Sequence, residues 1–265
     1  MAEYVVANAA VVPVREEPSE GSEQLTQLLF GEECEVLDRL SRWTKIRSLV
    51  DGQVGWVDFK MVSLGDEAMS QDAQGDTAIV ASPLATATPM SGGADVLLTI
   101  GTRLPNYSHG TFEVLGQQYL IDPSRVRRLG DEAIEREDVC SVAQALLNAP
   151  YLWGGKNMMG MDCSGLTQVV YSVFGINLLR NAREQITQGV VVASIADALP
   201  GDLAFFDHAD RDPQATNISH VGLLLNSTEI IHCSGCVHID MIDAQGIHLP
   251  DGSLTHHLVQ IKRYI

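Results

Sequence analysis

The 265-residue chain is poor in positive charge: 17 Lys and Arg stand against 34 Asp and Glu, a formal net charge of −17. That balance argues against a nucleic-acid or anionic-membrane binder, because both need a basic patch that releases counterions. The same field repels an anionic polymer and draws in a small substrate carrying a free ammonium. No run of about 18 apolar residues occurs, so no transmembrane helix is expected. The opening residues, Met1-Ala2-Glu3-Tyr4, lack the basic and apolar regions of a secretory signal, so one is expected to be absent or to have been removed. Five cysteines are an odd number and spell no disulfide framework. These absences together point to the cytoplasm.

What is present is an ordinary globular composition, 45% hydrophobic and 19% charged. At about 150 residues per domain the length predicts roughly two domains. Patterning divides the chain further, into three segments. Residues 1–64 hold short apolar runs separated by turn residues: Val5-Val6, Val11-Val12, Leu28-Leu29-Phe30, Glu35-Val36-Leu37, Thr44-Lys45-Ile46 and Val54-Gly55-Trp56-Val57. Such spacing predicts a small β-barrel or sandwich. Ser63 to Gly75 is polar and small, a linker pattern. Residues 76–129 are again β-rich, through Ile79-Val80, Val96-Leu97-Leu98, Thr111 to Leu115 and Gln118 to Ile121.

After Gly130 the period changes. Val139, Val142, Ala143, Leu146 and Leu147 follow helical spacing, stopped by Asn148-Ala149-Pro150. A second helix follows Asp162, with Leu166, Val169, Val170, Val173 and Phe174 on its apolar face and Gly175 past its end. Asn181 to Gln188 is a third candidate. Strands are expected at Leu203 to Phe206, Val221 to Leu225, Ile230 to His232, Val237 to Asp240 and Leu258 to Tyr264. Helices followed by an antiparallel sheet is an α+β order.

Chemistry concentrates around Cys163. The run Gly160-Met161-Asp162-Cys163-Ser164-Gly165-Leu166 places it in the first turn of a helix, where free N–H groups and the helix dipole favour a thiolate. Asp162 can cap that helix, and Ser164 and Gly165 leave room for a substrate backbone. A buried structural cysteine is the competing reading. A nucleophile needs a base, and the base an orienting partner. His220 opens one apolar strand and His232 closes the next, so antiparallel pairing brings the two imidazoles to one end of a sheet. Taken singly, each histidine also reads as a structural residue.

The third segment resembles the NlpC family of papain-like cell-wall peptide hydrolases. The resemblance rests on Tyr151 to Gly155 (YLWGG), Gly160 to Leu166 (GMDCSGL), Leu178 to Gln185 (LLRNAREQ), Leu199 to Phe206 (LPGDLAFF), His220 to Leu225 (HVGLLL) and Ile230 to Gly235 (IIHCSG), in the family's order across residues 131–265. The first segment resembles a bacterial SH3-like domain through Leu29 to Leu37 and Gly52 to Val57; the middle one resembles a second, divergent copy. The implied architecture is α+β: a papain-like catalytic domain after two small all-β SH3-like barrels, most similar to the YkfC-type members. The implied activity is hydrolysis of the bond between γ-D-glutamate and a diamino acid in murein peptides that begin with a free L-Ala, without a cofactor or metal. The resemblance implies Cys163 as nucleophile, His220 as general base and His232 as third polar residue. It implies Tyr151 and the Cys163 N–H at the oxyanion, and Asp162, Ser164 and Arg180 near substrate. Tyr107 is a candidate for closing the subsite of the substrate's amino end, against the competing reading of a loop tyrosine. Leu179, Asn181 and Ala182 depart from the family pattern around Arg180, which bears on recognition of that end. The same chemistry also serves a cell-wall amidase or acyltransferase, and an inactive domain would leave a wall-peptide binder.

Three features lie outside the resemblance. Cys233-Ser234-Gly235-Cys236, flanked by His232 and His238, has the form of half a zinc site or a redox pair, or of turn cysteines. His256-His257 reads as a solvated turn before the last strand. Met158 to Met161 reads as packing beside the cysteine motif.

Overall fold

A computed structural model describes residues 3–65, 78–130, 133–208 and 217–265. Most of the expected linker, residues 66–75, lies outside the described residues. The chain folds as two compact units. The first is Met1–Glu132 with Trp153–Met158, and the second is Ala133–Leu152 with Met159–Ile265.

In the first unit, β1 (Tyr4–Ala7), β2 (Val11–Arg15), β3 (Gln24–Leu29), β4 (Glu33–Leu40), β5 (Trp43–Ser48), β6 (Val54–Asp58) and β7 (Val62–Leu64) form a sheet in the order β3-β2-β6-β5-β4-β1-β7. Alternation sets the buried face: along β2, Val12 and Val14 are buried while Val11, Pro13 and Arg15 are partly exposed. They join Val5, Leu28, Ile46 and Val57 in one core. Two smaller sheets follow, built from β8 (Ala78–Val80), β9 (Leu84–Pro89), β10 (Val96–Thr99), β11 (Arg103–Leu104), β12 (Thr111–Val114), β13 (Gln117–Ile121) and β14 (Val126–Arg128). Their orders are β10-β9-β13-β12 and β11-β8-β14. Their core takes in Val6 and Phe30 from the first sheet region beside Leu98, Phe112 and Val114. β9 escapes sequence reading because its buried face is only Ala85 and Ala87.

Trp153–Met158 belongs to this unit although it lies among the cysteine-segment motifs in chain order. It runs along the edge strand β3. Gln24 Nε2 donates to the Trp153 carbonyl at 3.0 Å, and Trp153 Nε1 donates to Glu23 at 2.7 Å. Gln27 Oε1 accepts from the Lys156 N–H and from Asn157 Nδ2 in β15 (Lys156–Asn157). Gly154 has φ +74°, and a Cβ there would strike the Gln24 carbonyl. Lys156 Nζ meets both Glu32 oxygens, at 2.8 and 3.0 Å, with both side chains buried. Burial raises the Glu32 pKa, against the opposing pull of Lys156.

In the second unit, α1 (Arg136–Gln144) buries Val139 and Ala143. The short β16 (Gly160–Met161) leads into α2 (Cys163–Ser172), in which every residue from Cys163 to Tyr171 is buried. A helix enclosed on all sides is a core element rather than a surface one. Two of its polar members bond inward: Thr167 donates to Gln185 Oε1 at 2.8 Å, and Gln168 Nε2 donates to the Leu178 carbonyl at 3.0 Å. The expected third helix is only four residues, α3 (Ala182–Gln185), because Thr187 and Gln188 bond three residues back and Gly189 turns the chain at φ +67°.

A sheet follows: β17 (Val190–Val192), β18 (Leu203–His208), β19 (His220–Leu224), β20 (Glu229–Ser234), β21 (Cys236–Ile242), β22 (Gly246–His248) and β23 (Leu254–Arg263). Its order is β17-β23-β18-β19-β20-β21-β22, and β22 pairs with β23 as well, so the sheet closes on itself around Phe206, Leu224, Ile230 and Ile247. β23 begins four residues before the expected Leu258. His256 and His257 are therefore strand residues, not a turn, held by pairing to β18 and β22. Among the described residues no helix is long and apolar enough to cross a membrane.

The buried Lys156–Glu32 pair gives a stability test. Glu32→Ala leaves a buried ammonium without its partner and is expected to destabilise the first unit by about 3–5 kcal/mol. The readout is a lower urea midpoint, and an unchanged midpoint would show that the pair carries no such weight.

Candidate active site

Asp162 starts the helix that carries Cys163. Its backbone is extended, and Oδ1 accepts the Gly165 N–H at 2.7 Å, an N-cap bond. The same carboxylate binds Arg180 bidentately, with NH1 at 3.0 Å from Oδ1 and NH2 at 2.7 Å from Oδ2. Arg180 is 1% exposed and also donates to Ser164 Oγ at 3.0 Å. Gln185 reaches back to the carbonyls of Ser164 and Leu179. The loop bearing Arg180 is thereby tied to the first turn of α2 despite the unusual Leu179, Asn181 and Ala182.

Burial, then the Asp162 charge, pushes the Cys163 thiol up to about 12. Hydrogen bonding to the Val221 backbone, the Arg180 charge and hydrogen bonding to the Ser164 backbone act the other way. The thiol therefore sits against the start of β19, at the backbone of Val221, the residue after His220, and carries its proton at neutral pH.

β19 and β20 are antiparallel neighbours with Gly222 opposite His232. A Cβ on Gly222 would lie 2.9 Å from the His232 Cβ and 2.6 Å from Ile230 Cδ1, so the missing side chain makes room for the imidazole. His220 Nε2 lies 2.8 Å from His232 Nδ1, both rings buried. His232 Nε2 lies 3.1 Å from Asp240 Oδ2. Burial holds His232 below the usual histidine range despite that bond, and the bond to His232 holds Asp240 below the usual carboxylate range. A neutral His232 facing a carboxylate with Nε2 carries its hydrogen there. Its Nδ1 then accepts from His220 Nε2–H, and His220 keeps a lone pair on Nδ1. The chain Asp240–His232–His220 thus fixes the His220 tautomer and leaves its Nδ1 able to accept a proton.

Cys163, His220, His232, Tyr151, Asp162, Ser164 and Arg180 all lie in the second unit. Tyr151 is 39% exposed; desolvation and the neighbouring Cys163 and Asp162 push its hydroxyl up to about 12. Tyr107 is a core residue of the first unit, 4% exposed, with the Arg128 guanidinium 5.7 Å from its ring centre. Cys233 and Cys236 flank the β20–β21 turn, and the Cys233 thiol donates to the Met161 carbonyl at 3.2 Å.

Three further side chains at the site, Asp240, His238 and His256, are not assigned to it from the sequence. Asp240 and His238 alternate along β21, and the register sets His238 directly opposite His232; Val237-His238-Ile239-Asp240 carried that signal as a strand pattern. His256 stacks on His220, with ring centres 4.4 Å apart at 29°. Closure of the sheet brings it there, and chain order gives no sign of that closure.

Residues 148–250 match the NlpC/P60 family, and residues 14–60 match the bacterial dipeptidyl-peptidase SH3 domain. The chain carries an NlpC/P60 domain preceded by an SH3-like domain. It is similar to a gamma-D-glutamyl-L-lysine dipeptidyl-peptidase of Bacillus cereus, 29% identical over 78% of this chain and 66% of that protein. The corresponding Bacillus subtilis protein is 27% identical over 78% of this chain and 71% of its own length. The solved structure of an NlpC/P60 family protein from Bacillus cereus aligns with a TM-score of 0.83 at 19% identity, covering 98% of this chain and 99% of that one. At that identity the alignment speaks to fold.

The raised thiol makes a measurable claim. Alkylation of Cys163 by iodoacetamide, followed by peptide mass spectrometry, is expected to rise tenfold per pH unit and still climb at about pH 9, past the ordinary thiol value of about 8.5. A plateau near neutrality would show the thiolate already formed at rest.

Proposed function

We propose that the chain is a cysteine peptidase of papain-like architecture that hydrolyses the γ-D-glutamyl–diamino acid bond of murein-derived peptides beginning with a free L-Ala. The observation that carries this reading is the Asp240–His232–His220 chain, with the Cys163 thiol at the start of α2 bonded to the backbone of Val221, the residue after His220. The named activity of the two Bacillus relatives supports the choice of bond.

In the proposed reaction His220 Nδ1 takes the Cys163 proton as the sulfur attacks the γ-glutamyl carbonyl. Proton removal in step with attack suits a thiol whose pKa is pushed up. The Cys163 N–H at the helix start and the Tyr151 hydroxyl stabilise the oxyanion. The diamino acid amine leaves with the proton from His220, and water hydrolyses the thioester. Asp162, Ser164 and Arg180, bonded to one another, hold the turn that carries the nucleophile against the substrate.

Small soluble peptides, encountered in the cytoplasm during wall recycling, fit this reading better than the intact wall. The net charge of −17 disfavours an anionic polymer and attracts a free ammonium.

The test is cleavage of L-Ala-γ-D-Glu-L-Lys and of L-Ala-γ-D-Glu-meso-diaminopimelate, with their N-acetylated forms as comparison. Release of L-Ala-D-Glu from the free peptides alone is expected, with no turnover by Cys163→Ala. Tyr151→Phe is expected to lower kcat by about 10²-fold, the effect of one lost oxyanion donor. Failure on every peptide, or full activity in Cys163→Ala, would refute the assignment.

A further inference from the structure

His238 has no part in the proposed reaction, yet it shares Asp240 with His232. Its Nε2 lies 3.2 Å from Asp240 Oδ2, close to the 3.1 Å that separates His232 Nε2 from the same oxygen. We propose that His232, His238 and Asp240 bind a divalent ion of the zinc class, and that the bound ion switches the active site off.

Backbone register builds the set: His232 and His238 are directly paired on β20 and β21, and Asp240 follows two residues along the same face. The three ligand atoms lie within 4.8 Å of one another. Tetrahedral zinc, with bonds of about 2.0–2.1 Å, has ligand–ligand edges of roughly 3.3 Å, so both nitrogen–oxygen edges are already at that length. His238 Nδ1 lies 2.8 Å from the Cys236 carbonyl. A donor bond there is the outer partner that metal-bound histidines commonly have, and it leaves Nε2 for the ion. Two imidazoles and one carboxylate suit zinc, whereas calcium and magnesium prefer oxygen alone. The His238 side chain is 33% exposed, which gives an ion a way in, while that of His232 is 2% exposed.

The second half of the proposal rests on the peptidase reading. With the ion on Nε2, His232 carries its hydrogen on Nδ1 and donates to His220 Nε2. His220 then holds its hydrogen on Nδ1 and offers no lone pair to the Cys163 thiol. The ion reverses the hydrogen-bond chain without touching the cysteine.

The test uses full-length Cys163→Ala protein, so that the nucleophile cannot act as a ligand, titrated with Co²⁺ and then Zn²⁺. Uptake of a single equivalent is expected, with visible d–d bands, without a sulfur-to-cobalt charge-transfer band, and displaced by zinc. His238→Ala and Asp240→Asn, both checked by circular dichroism, are expected to bind at least roughly 100-fold more weakly. Cys236→Ser is expected to bind as before. No uptake, uptake unchanged in His238→Ala, or a sulfur-to-cobalt band would overturn the site. In protein with Cys163 intact, stoichiometric zinc is expected to abolish peptide cleavage, EDTA to restore it, and His238→Ala to need correspondingly more zinc. Full activity at full occupancy would overturn the switch alone. The binding titration decides the site even where no peptide is cleaved.

Discussion

The hydrogen bond between His220 Nε2 and His232 Nδ1 places one hydrogen between two buried nitrogens 2.8 Å apart. Which nitrogen owns it decides whether His220 can act as a base. Asp240 settles the matter from the far side, because a carboxylate facing His232 Nε2 requires a hydrogen there. Much of the surrounding structure serves this geometry. Gly222 leaves the space that His232 occupies, and closure of the sheet through β22 and β23 brings His256 onto the ring of His220. The same dependence makes the site sensitive to anything that competes for His232 Nε2.

The proposed nucleophile, Cys163, is positioned by a second buried constraint. Asp162 caps α2 and binds both guanidinium nitrogens of Arg180. Bidentate geometry, with further bonds to Ser164, is what makes a buried ion pair tolerable. One carboxylate therefore couples the start of the cysteine helix to the loop after α2. Its charge also raises the thiol, so the site that orders Cys163 keeps it protonated until a base removes the proton.

Much of this was legible in the sequence, and the gaps have physical causes. The expected strands from Val5 to Val57 all occur, because large β-branched and aromatic residues alternate between turns. β9 has only alanines to bury, which gives too weak a hydrophobic signal. Helical spacing after Asp162 locates α2, yet the pattern extending to Gln188 overstates α3, where tighter bonds end the helix. Cys163, His220 and His232 stand out by residue type at strand and helix ends. Asp240 and His256 do not, since their positions depend on register and on sheet closure, which chain order does not encode. The packing of Trp153–Met158 along β3 is likewise a tertiary event, fixed by Gln24, Gln27 and Glu32.

The central claim is the tautomer of His220, and it is open to direct observation. Long-range nitrogen–proton correlation spectra of the histidine rings, recorded on metal-free protein near neutral pH, are expected to show His220 protonated at Nε2 and bare at Nδ1. His232 is expected to be neutral, with its hydrogen on Nε2. A hydrogen on His220 Nδ1 with none on Nε2, or a hydrogen on His232 Nδ1, would contradict the account.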